Sequence, residues 1–100
     1  MILVRDLFQL KYGKAKEAVA AWKEGMALFG KQAVKPRSMR LLTDLVGDYY
    51  TLVFETTFES LAEYEKMGKG HIATDEWKAW HAKIGPLSEG GRREIFNIVD

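Results

Sequence analysis

The chain has 100 residues, with 15 Lys and Arg against 14 Asp and Glu and a net charge of +1 at pH 7. So even a balance creates no long-range field that would draw nucleic acid or an anionic membrane. Having no cysteine excludes disulfide frameworks, thiolate metal sites and cysteine nucleophiles together. Read as one domain over residues 1–100, a chain this short buries only about 60 to 65% of the surface its unfolded form exposes. A second copy would therefore add buried area that the fold itself lacks. With 47% hydrophobic and 12% aromatic residues the composition is that of a packed globule rather than a disordered chain. Arg5 and Asp6 interrupt the N-terminal apolar run where a signal peptide needs an unbroken core, and no other run approaches ~20 apolar residues. The expectation is a soluble, cytoplasmic protein with neither a nucleic-acid nor a membrane partner.

In chain order, Ile2 to Leu10 has a strand's composition. Ile2, Val4, Asp6, Phe8 and Leu10 fall on one face, and Leu3, Arg5, Leu7 and Gln9 on the other, as in a central strand covered on both sides. From Lys14 to Phe29 the apolar period becomes helical, through Ala15, Ala18, Val19, Trp22, Met26 and Phe29, and Gly30 ends it. After a polar link to Pro36, residues 37–57 read as a hairpin with a two-residue Gly47-Asp48 turn. That turn pairs Val46 with Tyr49, Asp44 with Thr51, Leu42 with Val53 and Arg40 with Glu55, the last a cross-strand ion pair. Met39, Leu41, Thr43, Leu45, Tyr50, Leu52, Phe54 and Thr56 then share one face. Leu42, Val46, Tyr49 and Val53 share the other.

Ser60-Leu61-Ala62-Glu63 fits a capping box for a helix to about Met67, stopped by Gly68 and Gly70. Thr74 is a good N-cap for a second piece carrying Trp77, Trp80, His81 and Ile84 on one face, closed by Gly85-Pro86. Residues 87–91 read as a loop and residues 92–99 as a last strand. The order is β-α-β-β-α-β, the ferredoxin-like split βαβ arrangement of the α+β class. Two helices cover one face of a four-stranded antiparallel sheet, whose first and third strands are central.

Chemistry is concentrated in few places. His71 and His81, ten apart across a glycine-containing break, do not have a helical metal-ligand spacing, so no metal or other cofactor is expected. Gly68-Lys69-Gly70 lacks the strand that would make it a phosphate cradle. Trp77, Trp80 and His81, with Tyr64 and Trp22 as neighbours, are the one cluster of unusual side chains. Tryptophans at helical spacing are core-fillers in most proteins, but Asp6 points at the same helix-covered face, and a carboxylate there needs a partner or a wet cavity. Asp6 and His81 are therefore expected to line one cavity between sheet and helices. Such a cavity would take a small apolar or aromatic ligand against Trp77, Trp80, Tyr64 or Trp22, with His81 as the proton-transfer group and Asp6 orienting it or acting as base. The competing account makes His81 a packing residue and pairs Asp6 with an Arg or Lys at the sheet edge.

The first strand followed by KYGKAKEAVAAW, the run RLLTDLVGDYYTLVFETTFESLAEYE, and EWKAWHAKIGPL before GRREIF resemble the NIPSNAP family of the dimeric α/β-barrel superfamily. The resemblance covers nearly the whole chain as a pattern of scattered glycines, aromatics and acids. It implies a homodimer joined through the open sheet faces, with a small-molecule pocket between sheet and helices in each protomer and no assigned reaction. Relatives in the superfamily include cofactor-independent and haem-degrading monooxygenases, which makes a monooxygenase-type enzyme the alternative. Haem-degrading members place an asparagine where Asp6 stands and a tryptophan near Tyr64. His81 alone matches their haem-ligating histidine in kind. A second alternative is an RRM-like nucleic-acid-binding module, since ILVRDL is loosely similar to the first-strand motif of that fold. The base-stacking aromatics are missing there, with Leu3 and Thr51 in their places and Tyr49 alone remaining.

Overall fold

The computed structural model describes residues 1–72 and 74–100, the side chains of His71 and Ile72 lying outside that description. Strand β1 (Ile2–Leu10) is followed by helix α1 (Ala15–Gly30), strands β2 (Ser38–Thr43) and β3 (Thr51–Phe58), helices α2 (Leu61–Ile72) and α3 (Asp75–Ile84), a 3-10 turn (Gly85–Leu87) and strand β4 (Ser88–Asn97). The antiparallel sheet runs β2-β3-β1-β4, so β1 and β3 are central as expected. Val4, Leu10, Leu52, Phe54 and Phe58 fill its helix-covered face. Among the described residues no helix is long and apolar enough to cross a membrane.

The expected β2–β3 register holds, with Arg40 opposite Glu55, Leu42 opposite Val53, and the Asp44 amide bonded to the Thr51 carbonyl at 3.2 Å. The two-residue turn does not form. The strands part after Thr43, and residues 44–50 make a wider loop in which positive φ falls on Gly47 (141°) and Tyr50 (60°), not on Asp48. Contacts with β1 and with Tyr12 just after it decide this. The Tyr50 carbonyl accepts from the Leu10 amide at 2.8 Å, the Gln9 side-chain amide donates to the Tyr49 carbonyl at 2.7 Å, and the Tyr50 ring packs on Tyr12 with centroids 4.9 Å apart. These interactions outweigh the cost of a left-handed tyrosine, of order 1–3 kcal/mol. Leu45, Val46 and Tyr49 are consequently 96, 94 and 81% exposed and belong to neither sheet face.

Two further boundaries differ from expectation. Helix α2 runs through Gly68 and Gly70 to Ile72, because glycine lowers helix propensity by only about 1 kcal/mol and does not forbid the conformation. Its N-terminus is capped by Ser60 Oγ, which accepts from the Glu63 amide at 3.3 Å. Glu63 reaches back to the amide of Glu59, one residue before the expected partner. Strand β4 begins at Ser88, so the expected loop over residues 87–91 is mostly strand. Gly91 is needed there, since a Cβ would lie 2.7 Å from Phe8 Cδ1 across the β1–β4 pair.

Helix α3, capped by Thr74 Oγ1 on the Trp77 amide at 3.2 Å, lies against α1 at its tightest point. The Trp80 Nε1–H donates to the Ala21 carbonyl at 2.7 Å, and the indole crosses α1 at Gly25, where a Cβ would sit 2.3 Å from Trp80 Cζ2. Gly25→Ala is expected to destabilise the fold by about 1–3 kcal/mol through overpacking. Gly70→Ala, whose added methyl meets nothing within 4 Å, is expected to stabilise it by up to about 1 kcal/mol. Urea denaturation of the two variants against the parent checks both signs.

Candidate functional site

The site grows out of one exception to the apolar pattern. Asp6 interrupts the helix-facing side of β1 between Val4 and Phe8, and its β4 neighbour in register is Arg93. Arg93 Nε donates to Asp6 Oδ1 at 2.5 Å, so the carboxylate enters the helix-covered layer already paired. The same guanidinium lies 5.7 Å from the Tyr64 ring centroid, which ties α2 to the pair. Burial pushes the Tyr64 phenol above its ordinary value. The Arg93 cation pulls it down and the Asp6 anion pushes it up, and the net direction is upward. Tyr64 is therefore a neutral hydrogen-bonding group throughout the neutral range.

Around this polar cluster the walls are aromatic. Trp22 is the hub, with ring centroids 5.1 Å from Phe8, 5.2 Å from Phe54 and 4.9 Å from Trp80, the last edge-on at 90°. Trp77 stands 5.0 Å from Trp80 and 5.7 Å from Phe29. Between these walls and the sheet lies a chamber of about 320 Å³ lined by Asp6, Arg93, Phe54, Trp77, Trp80 and His81 among others. A second chamber of about 190 Å³, toward α2, shares Asp6, Arg93, Phe29, Phe54 and Trp77 and adds Tyr64 and Met67.

The geometry brings Asp6 and His81 to one chamber, but not as a packed acid–histidine pair. His81 is exposed at the rim, its ring 5.1 Å from Trp77 and 6.3 Å from Trp80, so it is not a core histidine. Asp6 pairs with an edge-strand arginine, as the competing account held. Trp22 and Trp80 are 4% exposed and serve as walls; Trp77 is only partly buried. Tyr64 serves the smaller chamber. The His71 side chain lies outside the description, and among the described residues no group of three or more His, Asp or Glu is placed to hold a metal.

Arg93 is the residue that sequence reasoning missed, residues 92–99 having been read only as a last strand. A signal was present. Extending the alternation of Ile95 and Asn97 back by one step puts Arg93 on the helix-covered face, on the strand beside Asp6.

No protein-family model matches the chain, and no curated protein matches it. Solved structures do. A NIPSNAP domain protein from Burkholderia xenovorans superposes with a TM-score of 0.86 at 17% identity, over 99% of this chain and 95% of that one. A NIPSNAP family protein from Agrobacterium tumefaciens gives 0.87 at 16%, over 99% and 93%. A variant of SnoaB, a cofactor-independent oxygenase from Streptomyces nogalater, gives 0.77 at 13%, over 99% and 93%. The ferredoxin-like fold expected from the sequence is thus the fold of NIPSNAP proteins and of an oxygenase.

The Tyr64 geometry makes a titration prediction. In Arg93→Met the lowering cation is gone and Asp6 remains, so the Tyr64 phenol should move further up; ultraviolet titration, with Tyr64→Phe assigning the step, reads the change. Because the folded value is raised, the neutral phenol's contribution to stability is present below the ordinary tyrosine value and is lost as pH rises from there through the raised folded value. Tyr64→Phe should accordingly flatten the alkaline limb of the stability profile, and an unchanged limb would contradict the assignment.

Proposed function

We propose that this is a NIPSNAP-like small-molecule-binding protein, working as a homodimer, whose ligand is an apolar or aromatic molecule seated between the sheet and the helices. The observation that carries this reading is the convergence of Asp6, Arg93 and His81 on an aromatic-walled chamber of about 320 Å³. That is the composition of a small-ligand site, apolar walls with a few convergent polar groups. Trp77 would grip the ligand face, and Asp6 with Arg93 would orient a polar substituent. Because Asp6 and Arg93 offset each other's charge, the chamber favours a neutral ligand that can hydrogen-bond, such as a phenol or quinol.

Titrating the protein with a naphthol while following tryptophan fluorescence tests this. Saturable quenching is expected, weakened at least tenfold in Trp77→Ala and unchanged in Tyr12→Ala, which lies outside this chamber. Quenching that never saturates would remove the ligand-binding reading.

The second reading is a monooxygenase of the cofactor-independent type, favoured by the shared fold with an oxygenase and by the position of His81 at the chamber's rim. Imidazole can take a phenolic proton near neutral pH, and the phenolate is more readily oxidised than the phenol. Oxygen uptake on a quinol should fall by about 10² or more in His81→Ala if this holds. Absence of uptake in the parent protein leaves binding without turnover. The haem-degrading variant fits the chamber poorly. Its lining sets Asp6 and Glu89 against Arg93, a balance that does not suit a dianionic porphyrin, and the Asp6 position is committed to an ion pair.

The homodimer reading rests on the open sheet face. Leu7, Leu42 and Val53 form an apolar row across it, and Phe96 on β4 is 47% exposed. A small domain gains from covering such a face. Sedimentation at micromolar concentration should give the dimer mass, and Leu42→Glu should shift it toward monomer. A monomeric parent would end the dimer reading without touching the ligand site.

A further inference from the structure

Between the start of α1 and the β2–β3 loop lies an open cleft of about 680 Å³ that shares no lining residue with the two chambers. The α1 wall presents Lys16 and Val19, the loop wall presents Asp44, Tyr49 and Tyr50, and Tyr12, just before the helix, joins them. Three of the chain's four tyrosines thus gather in one place. Tyr12 and Tyr49 are 85 and 81% exposed, so their rings are open to whatever the cleft holds. Tyr50 keeps its ring there at a cost in backbone strain, since its φ of 60° is one that glycine adopts freely and a tyrosine does not. Strain of this kind gathers at binding sites. The loop is also held in place, by the Leu10 amide on the Tyr50 carbonyl and by the Thr51 hydroxyl, which donates to the Asp48 carbonyl at 2.8 Å.

Two charges of opposite sign line the cleft from different walls. Asp44 Oδ1 accepts from the Thr51 amide at 3.0 Å, which fixes the carboxylate, and among the described residues no ion pair links it to Lys16. The chamber differs, because Asp6 and Arg93 offset each other directly. We propose that the cleft is a second ligand site, taking a small zwitterion with a methylated ammonium group and a carboxylate. The electron-rich faces of tyrosines attract cations, and Asp44 adds a negative charge in the same cleft. A methylated ammonium suits such walls better than a primary one: it has no N–H left to satisfy, and ring faces offer few acceptors. The ligand's carboxylate falls to Lys16. It also meets the positive end of α1, whose first two residues are Ala15 and Lys16 and whose N-terminus carries no side-chain cap. A bare organic cation would leave Lys16 unanswered, and a bare anion would leave Asp44 so. None of this depends on what the chamber binds.

Glycine betaine, followed by NMR on the tyrosine ring signals, is the direct test. Saturable shifts of Tyr12, Tyr49 and Tyr50 are expected, with Tyr64 unmoved. tert-Butylacetate has the same shape and carboxylate without the positive charge, and glycine carries N–H bonds on its ammonium; each should bind about tenfold more weakly or worse. Variants read the two charges separately. Lys16→Met should weaken betaine about fivefold and tighten choline, which has the cation but no carboxylate. Asp44→Asn, whose side-chain oxygen can still accept from the Thr51 amide, should weaken both. Tyr12→Leu, at an exposed position, should weaken betaine about tenfold. If Asp44→Asn unfolds the chain, the two exposed substitutions still decide the question. Shifts that never saturate, or tert-butylacetate binding as tightly as betaine, would overturn the site. Betaine binding unchanged in Lys16→Met would overturn the zwitterion assignment.

Discussion

The contact between Trp80 and the backbone of α1 governs where everything on the helix-covered face can sit. An indole that donates to the Ala21 carbonyl while lying across Gly25 brings α3 closer to α1 than any side chain at position 25 would permit. With that spacing set, Trp22 can meet Phe8 and Phe54 below it and Trp80 above it. The chamber is the space left between this aromatic stack and the polar group on β1. A different α1–α3 separation would either fill that space or open it to solvent.

The two sheet faces solve one problem, a largely buried carboxylate, in different ways. On the helix-covered face Asp6 is offset by Arg93 from the next strand and borders a cavity. On the open face Glu55 is offset by Arg40 and Arg5 and sits in a row of alternating sign. A buried charge with its partner removed is costly, whereas a paired one is close to neutral in stability. Each acid therefore demanded a cation on an adjacent strand. The first arrangement leaves polar groups bordering a cavity, and the second leaves the outer charges of Arg40 and Glu94 partly exposed on the open face. The polar cluster on the helix-covered face and the charged row on the open face thus follow from neighbouring residues of the same strand, Asp6 and Arg5.

The hairpin separates what local sequence controls from what it does not. Its register was legible because alternation and the Arg40–Glu55 pair agree, and a slip of one residue would turn every side chain to the wrong face. Its turn was misread because Gly47-Asp48 is only locally the best turn; β1 supplies hydrogen bonds to the carbonyls of Tyr49 and Tyr50 that a tight hairpin would not place within reach. The β4 boundary was misread for a related reason. Gly90 and Gly91 look like loop until Phe8 is seen to occupy the space a side chain would need.

By itself the sequence determined the element order, the central strands, the sidedness of β1 and β3, and the presence of a carboxylate and a histidine bordering one helix-covered space. These follow from period and alternation, which are properties of consecutive residues. Only the tertiary structure decided that Arg93 pairs with Asp6 at the chamber, that Trp22 and Trp80 are buried walls while Trp77 is only partly buried, that His81 stands at the rim, and that four charges on four strands form one row. Each of these depends on which residues far apart in the chain come to lie side by side, and strand register and helix separation set that only once the whole sheet has closed.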